Sequence, residues 1–77
     1  MPVVKRFPSC KVCMYAADHL PPHFHILAND GKRALVEIST LSVLAGRVGG
    51  SVLAEVILWA SAEKESLKSK WDELNHG

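Results

Sequence analysis

Between Arg33 and Ile38 the chain alternates, with Ala34, Val36 and Ile38 on one side and Arg33, Leu35 and Glu37 on the other. A period of two predicts a strand with one drier face. Residues 10–16 are mostly apolar, include Val12, Met14 and Tyr15, and follow Pro8, so they predict an earlier strand. Pro21 and Pro22 break what precedes them and hold an extended path. Phe24, Ile26 and Leu27 predict another strand over residues 23–28. Asn29-Asp30-Gly31 joins it to the alternating segment, because Asp-Gly supplies the positive φ angles of a tight hairpin. Ser39 and Thr40 suit a turn, and residues 41–45 suit a short last strand.

The period changes at Gly46. Gly46, Gly49 and Gly50 read as a flexible link and Ser51 as a helix N-cap. Val52, Leu53, Val56, Ile57 and Ala60 then recur at helical spacing, with Trp59 beside them, and Leu67, Trp71 and Leu74 extend the stripe. Glu65–Lys68 and Lys68–Asp72 are spaced to pair on the exposed side. The pattern predicts one long helix, or two with a break near residues 62–64. The expected fold is α+β. A three- or four-stranded antiparallel meander over about residues 10–45 is followed by helix over about 51–75, with the helical stripe on one sheet face.

Composition fits a single domain over all 77 residues: 48% are hydrophobic and 22% charged. That balance excludes a disordered chain. The formal charge of +1 argues against a partner held mainly by net charge. The bases gather early, however. Lys5, Arg6 and Lys11 precede the first acid, Asp18, and this basic head reads first as a solvated end, with contact to a nucleic-acid backbone or an acidic protein as the other reading. No apolar run reaches the ~18 residues of a membrane span. Lys5 and Arg6 are followed by no apolar stretch of the signal-peptide kind. The expected location is therefore cytoplasmic, with Cys10 and Cys13 reduced.

Three histidines fall within seven positions: His19, His23 and His25. Residues two apart on a strand share a face, so His23 and His25 project together, as imidazoles must to grip a divalent metal such as zinc. Asp18 and His19, just before the prolines, can fold back as further ligands. The competing readings are a hydrogen-bonded cluster that pins a loop, a partner contact, and general acid–base chemistry. Cys10 and Cys13 have C-x-x-C spacing and with His23 and His25 would complete a Cys2His2 set. Strand alternation sends them to opposite faces, which favours two ordinary thiols. Trp59 and Trp71 read as core anchors rather than base-stacking platforms. The glycines before the helix lack the Gly-Lys-Ser/Thr ending of a phosphate-binding loop.

The run Met14-Tyr15, Asp18-His19, Pro21-Pro22-His23-Phe24-His25 resembles the signature of the domain of unknown function 4160 family. The resemblance continues through Ala34-Leu35-Val36-Glu37-Ile38, Thr40-Leu41, Leu53, Leu58-Trp59-Ala60, Leu67 and Trp71-Asp72, over roughly residues 1–75. The chain departs from that family at Cys10, Lys11 and Cys13, where members carry isoleucines. It departs also at Gly49, where they carry proline, and across Glu63-Lys64-Glu65-Ser66-Leu67, where many carry His-Arg-x-Glu-Leu. The resemblance implies no reaction. It implies a small bacterial or archaeal protein often encoded beside a member of the domain of unknown function 2442 family, in an arrangement like a toxin–antitoxin pair. The resulting expectation is a toxin-like component that binds a small cognate protein through the sheet and through Asp18, His19, Pro21, Pro22 and His23. Self-association as a homodimer is the other protein contact expected. The alternative is a metal-binding or hydrolytic domain that uses His19, His23 and His25.

Overall fold

A computed structural model describes residues 3–16 and 18–75. Five strands form one antiparallel sheet in chain order: β1 (Val3–Arg6), β2 (Cys10–Cys13), β3 (His23–Ala28), β4 (Arg33–Glu37) and β5 (Val43–Arg47). Two helices follow, α1 (Gly50–Ala62) and α2 (Lys64–Asn75), parted at Glu63. The α+β layout and the helix break agree with the sequence reading, and β1 is an addition to it. β1 is four residues long and ends in Lys5-Arg6, so it shows neither an apolar run nor a full alternation. The final strand lies two residues later than expected.

Alternation sorts the sheet into two faces. Val12, Phe24, Ile26, Ala34 and Val36 point to one side, where they join Met14, Ile38, Val56, Ala60, Leu67 and Trp71 in a single buried cluster. Val56 and Ala60 come from α1, and Leu67 and Trp71 from α2, so both helices pack on this face. Leu53, Ile57 and Trp59 are partly buried against the same cluster, and Trp59 meets the Phe7 ring edge-on with centroids 5.7 Å apart. Among the described residues, Glu65–Lys68 and Lys68–Asp72 form no ion pairs; Lys64 Nζ instead donates to the Ser39 carbonyl at 2.9 Å.

Two glycine assignments change. Gly46 is not part of a flexible link but a β5 residue at φ +79, where a Cβ would collide with the Arg33 carbonyl oxygen. The helix N-cap is Gly49, not Ser51, and it makes no side-chain capping bond. The Asp30-Gly31 hairpin forms as expected: Gly31 lies at φ +90, and its amide donates to the Ala28 carbonyl at 3.0 Å.

Candidate metal centre

The segment between β2 and β3 must return over the sheet, and α2 holds it there. The Asp18 amide donates to Asn75 Oδ1 at 2.9 Å. Asn75 Nδ2 in turn donates to the carbonyls of Tyr15 at 3.5 Å and Trp71 at 3.1 Å. With its backbone fixed in this way, Asp18 turns its carboxylate toward the start of β3.

His23 and His25 project from that start on one face, as the two-residue spacing requires. Asp18 Oδ2 lies 3.1 Å from His23 Nε2 and 3.0 Å from His25 Nε2. Its other oxygen, Oδ1, accepts the His19 amide at 2.9 Å and lies 3.1 Å from His19 Nδ1. Burial pushes the Asp18 carboxyl up. The hydrogen bonds from His25 and the His19 amide, with the fields of His23 and His25, outweigh that and hold it below its ordinary value.

His23 is fully buried. Its Nδ1–H donates to the Pro21 carbonyl at 2.7 Å, so in the neutral ring Nε2 carries the lone pair. That nitrogen has no hydrogen-bond partner although the carboxylate oxygen is 3.1 Å away. The separation is a close electrostatic contact whose angles are unsuited to a hydrogen bond. The ring packs against Trp71, His25 and His19 with centroids 5.2, 5.2 and 5.0 Å away. His25 is half-buried and meets Tyr15 edge-on at 4.7 Å.

Asp18, His23 and His25 thus each offer one ligand atom, all within 4.8 Å of one another. His19 does not join them: its ring is 72% exposed and engages the outer carboxylate oxygen. Of the loop residues expected to meet a partner, His19 and Pro21 are exposed, whereas His23 is wholly covered and Asp18 nearly so. The Cys2His2 set does not form. Cys10 lies in the helix-side core, Cys13 opposes His25 on the other face, and both thiols are free. His76, which the chain also carries, lies outside the described residues.

The sequence did not reveal two supports of the site, the Pro21 carbonyl and the Asn75 amide. Pro21 was legible as a stiff position but not as an acceptor. Asn75 lies 57 residues from Asp18, and an asparagine in the last turn of a polar helix looks like solvent-exposed surface.

No helix among the described residues is long and apolar enough to cross a membrane. Comparison with curated proteins and with solved structures returns no match. Residues 10–72, which hold β2 to β5, α1, most of α2 and the Asp18-His23-His25 constellation, match a family profile described as a domain of unknown function. The chain belongs to that family, DUF4160.

Proposed function

We propose that this domain binds a divalent transition metal through Asp18, His23 and His25. The observation that carries this reading is His23 Nε2. A buried lone pair facing a carboxylate oxygen at 3.1 Å is unfavourable unless a proton or a cation lies between them. The Pro21 carbonyl supports the cation reading, because metal-bound histidines characteristically donate their other nitrogen to a carbonyl or carboxylate. A ligand set of two imidazoles and one carboxylate suits zinc and its neighbours rather than calcium or magnesium. Zinc–nitrogen bonds are about 2.0–2.1 Å, so ligand atoms around the ion stand a little over 3 Å apart, within reach of the 4.8 Å span. Three protein ligands leave a coordination position for water, the arrangement hydrolytic zinc sites use.

The test is metal analysis of protein purified without a histidine tag, followed by zinc titration of the metal-free protein watched by calorimetry and NMR. One ion per chain is expected. The ring signals of His23 and His25 should move first and those of His76 not at all. Asp18→Asn should weaken binding at least tenfold. An unbound ion at micromolar zinc, or equal shifts at all four histidines, overturns the reading.

The crest of the same loop favours a second role, the toxin-like component of a two-protein bacterial module. Leu20 is 75% exposed between exposed His19 and Pro21, an apolar contact point on a loop pinned by Asn75. Co-expression with the neighbouring gene product tests it: Leu20→Asp should abolish co-purification while leaving zinc uptake intact.

A further inference from the structure

The net charge of +1 conceals a sorting of charge between the two layers. The five strands carry five bases (Lys5, Arg6, Lys11, Arg33, Arg47) and one acid, Glu37. The acids Glu55, Glu63, Glu65, Asp72 and Glu73 lie instead in the helical half. The strand register sorts them further. Arg6 stands opposite Lys11, Lys11 opposite Leu27, Leu27 opposite Arg33, and Arg33 opposite Arg47. Residues directly opposite share a face, so one row crosses all five strands and is cationic at four of its five places.

The row lies on the face turned away from the helices. Its parity is opposite to that of Ile26, Ala34 and Val12, which lie in the helix-side core. Arg6, Arg33 and Arg47 are exposed, and Lys11 is partly so. None of the four makes an ion pair among the described residues. At a strand spacing of about 4.8 Å the row is about 19 Å long.

This arrangement works against stability. Like charges placed directly opposite across strands are destabilising, and the row contains two such pairs, Arg6 with Lys11 and Arg33 with Arg47. A small domain has little stability to spare, so a feature of this kind marks a surface shaped for a ligand. That ligand must be anionic and extended. The adjacent row adds a second feature. A depression of about 230 Å³ is lined by Arg33, His25, Leu35 and Ala45, with Tyr15 against His25. A basic track beside ring side chains on a flat sheet is how proteins hold single-stranded nucleic acid. Both helices pack on the opposite face, so neither is presented beside the row to enter a duplex groove. Of the most exposed apolar residues, Leu20 and Leu58 lie off the sheet, and Val43 and Leu44 lie at the opposite end of β5 from Arg47. We infer that the row Arg6–Lys11–Arg33–Arg47 is a track for the phosphate backbone of single-stranded RNA or DNA. The inference stands whether or not Asp18, His23 and His25 hold a metal.

The test measures fluorescence anisotropy of labelled single strands of about 12 nucleotides, RNA and DNA in parallel. EDTA is present throughout, so that the row is read without a metal. Four neutralised phosphates predict that log K falls against log salt with a slope of about −2.8, and Arg33→Gln with Arg47→Gln should bring it to about −1.4. The same pair should weaken binding about tenfold or more at low salt. It should melt no lower than the parent, since a like-charge pair has been removed. Arg6→Gln with Lys11→Gln repeats the measurement on the other half of the row. Lys68→Gln with Lys70→Gln changes net charge equally on the exposed side of α2 and should leave binding nearly as it was. The inference fails if the single strands do not bind at low salt, or if the α2 pair matters as much as the row pairs. It also fails if the row variants instead abolish binding to polyglutamate or to phosphatidylserine vesicles that outcompete the single strands.

Discussion

The rings of His23 and Trp71 lie with centroids 5.2 Å apart and planes tilted by 49°. The tryptophan belongs to the helix-side core and is 3% exposed. The histidine opens β3 and holds the lone-pair nitrogen of the candidate site. One residue of α2 therefore supports the hydrophobic core and walls the site at once, and four residues later Asn75 ties down the loop that carries Asp18.

This double role gives a distinctive outcome for Trp71→Ala. Removing the ring should cost about 3–5 kcal/mol, much of the roughly 5–15 kcal/mol that holds a domain together. Trp71→Phe keeps most of the buried area and should stay folded, yet it changes the wall against His23. Its expected signature is a modest fall in melting temperature with a shifted His23 ring signal by NMR. A Phe variant that leaves His23 unmoved would mean that the helix does not wall the site.

Gly46 provides a test of the sheet. At φ +79 a side chain is strained, and the Arg33 carbonyl leaves no room for a Cβ. Gly46→Ala should therefore destabilise by about 2–3 kcal/mol or more, the conformational cost and the backbone clash adding. Gly31 also has positive φ, at +90, but nothing lies within 4 Å of its missing Cβ. Gly31→Ala should cost only the conformational part, about 1–2 kcal/mol. Paired thermal melts read the difference, and equal losses would place β5 elsewhere.

The sequence made the local parts of the fold and site legible and hid the parts that depend on register or return. Asp30-Gly31 announces its hairpin because the turn type itself demands those residues. His23 and His25 announce a shared face because strand alternation fixes it. Which residue faces them is set by where the loop comes back, and the sequence favours His19 and Asp18 alike. The choice of Asp18 follows from the Asn75 amide, which grips its backbone and turns the carboxylate inward. β1 goes unseen because four residues with two charges gain their order from pairing with β2. The basic row is the extreme case. Arg6, Lys11, Arg33 and Arg47 lie as far as 41 positions apart and become neighbours only through four separate strand registers.

Cys10 and Cys13 should behave as isolated thiols despite their spacing. They lie on opposite faces of β2, and both are buried. Burial pushes the Cys10 thiol up, with the Ser9 hydrogen bond opposing and Glu55 reinforcing it, so its thiolate is scarce near neutrality. Alkylation of the native protein should be slow at both positions and rapid in denaturant. Intact mass without reductant should show no internal bridge. An intramolecular disulfide, or rapid native labelling of Cys10, would contradict the β2 register.

The last prediction concerns acid. The native Asp18 carboxyl lies below its ordinary value of 3.8, so just under that value the unfolded chain binds the proton and the native one does not. Stability then falls with falling pH. The contribution of Asp18 is fully present above the ordinary carboxylate value and is lost as pH falls through the depressed native one. Urea unfolding of the parent and of Asp18→Asn, both in EDTA, isolates this effect, because the other carboxylates titrate alike in the two proteins and cancel in the difference. The parent should be the more stable at neutral pH, and its advantage should shrink steadily below about pH 4. Adding zinc at neutral pH should widen the gap further, since an ion held by the native state alone raises stability with its concentration. A difference that stays constant across the acid range would mean that the Asp18 charge is not engaged by His23 and His25 at all, and the candidate centre would lose its anionic ligand.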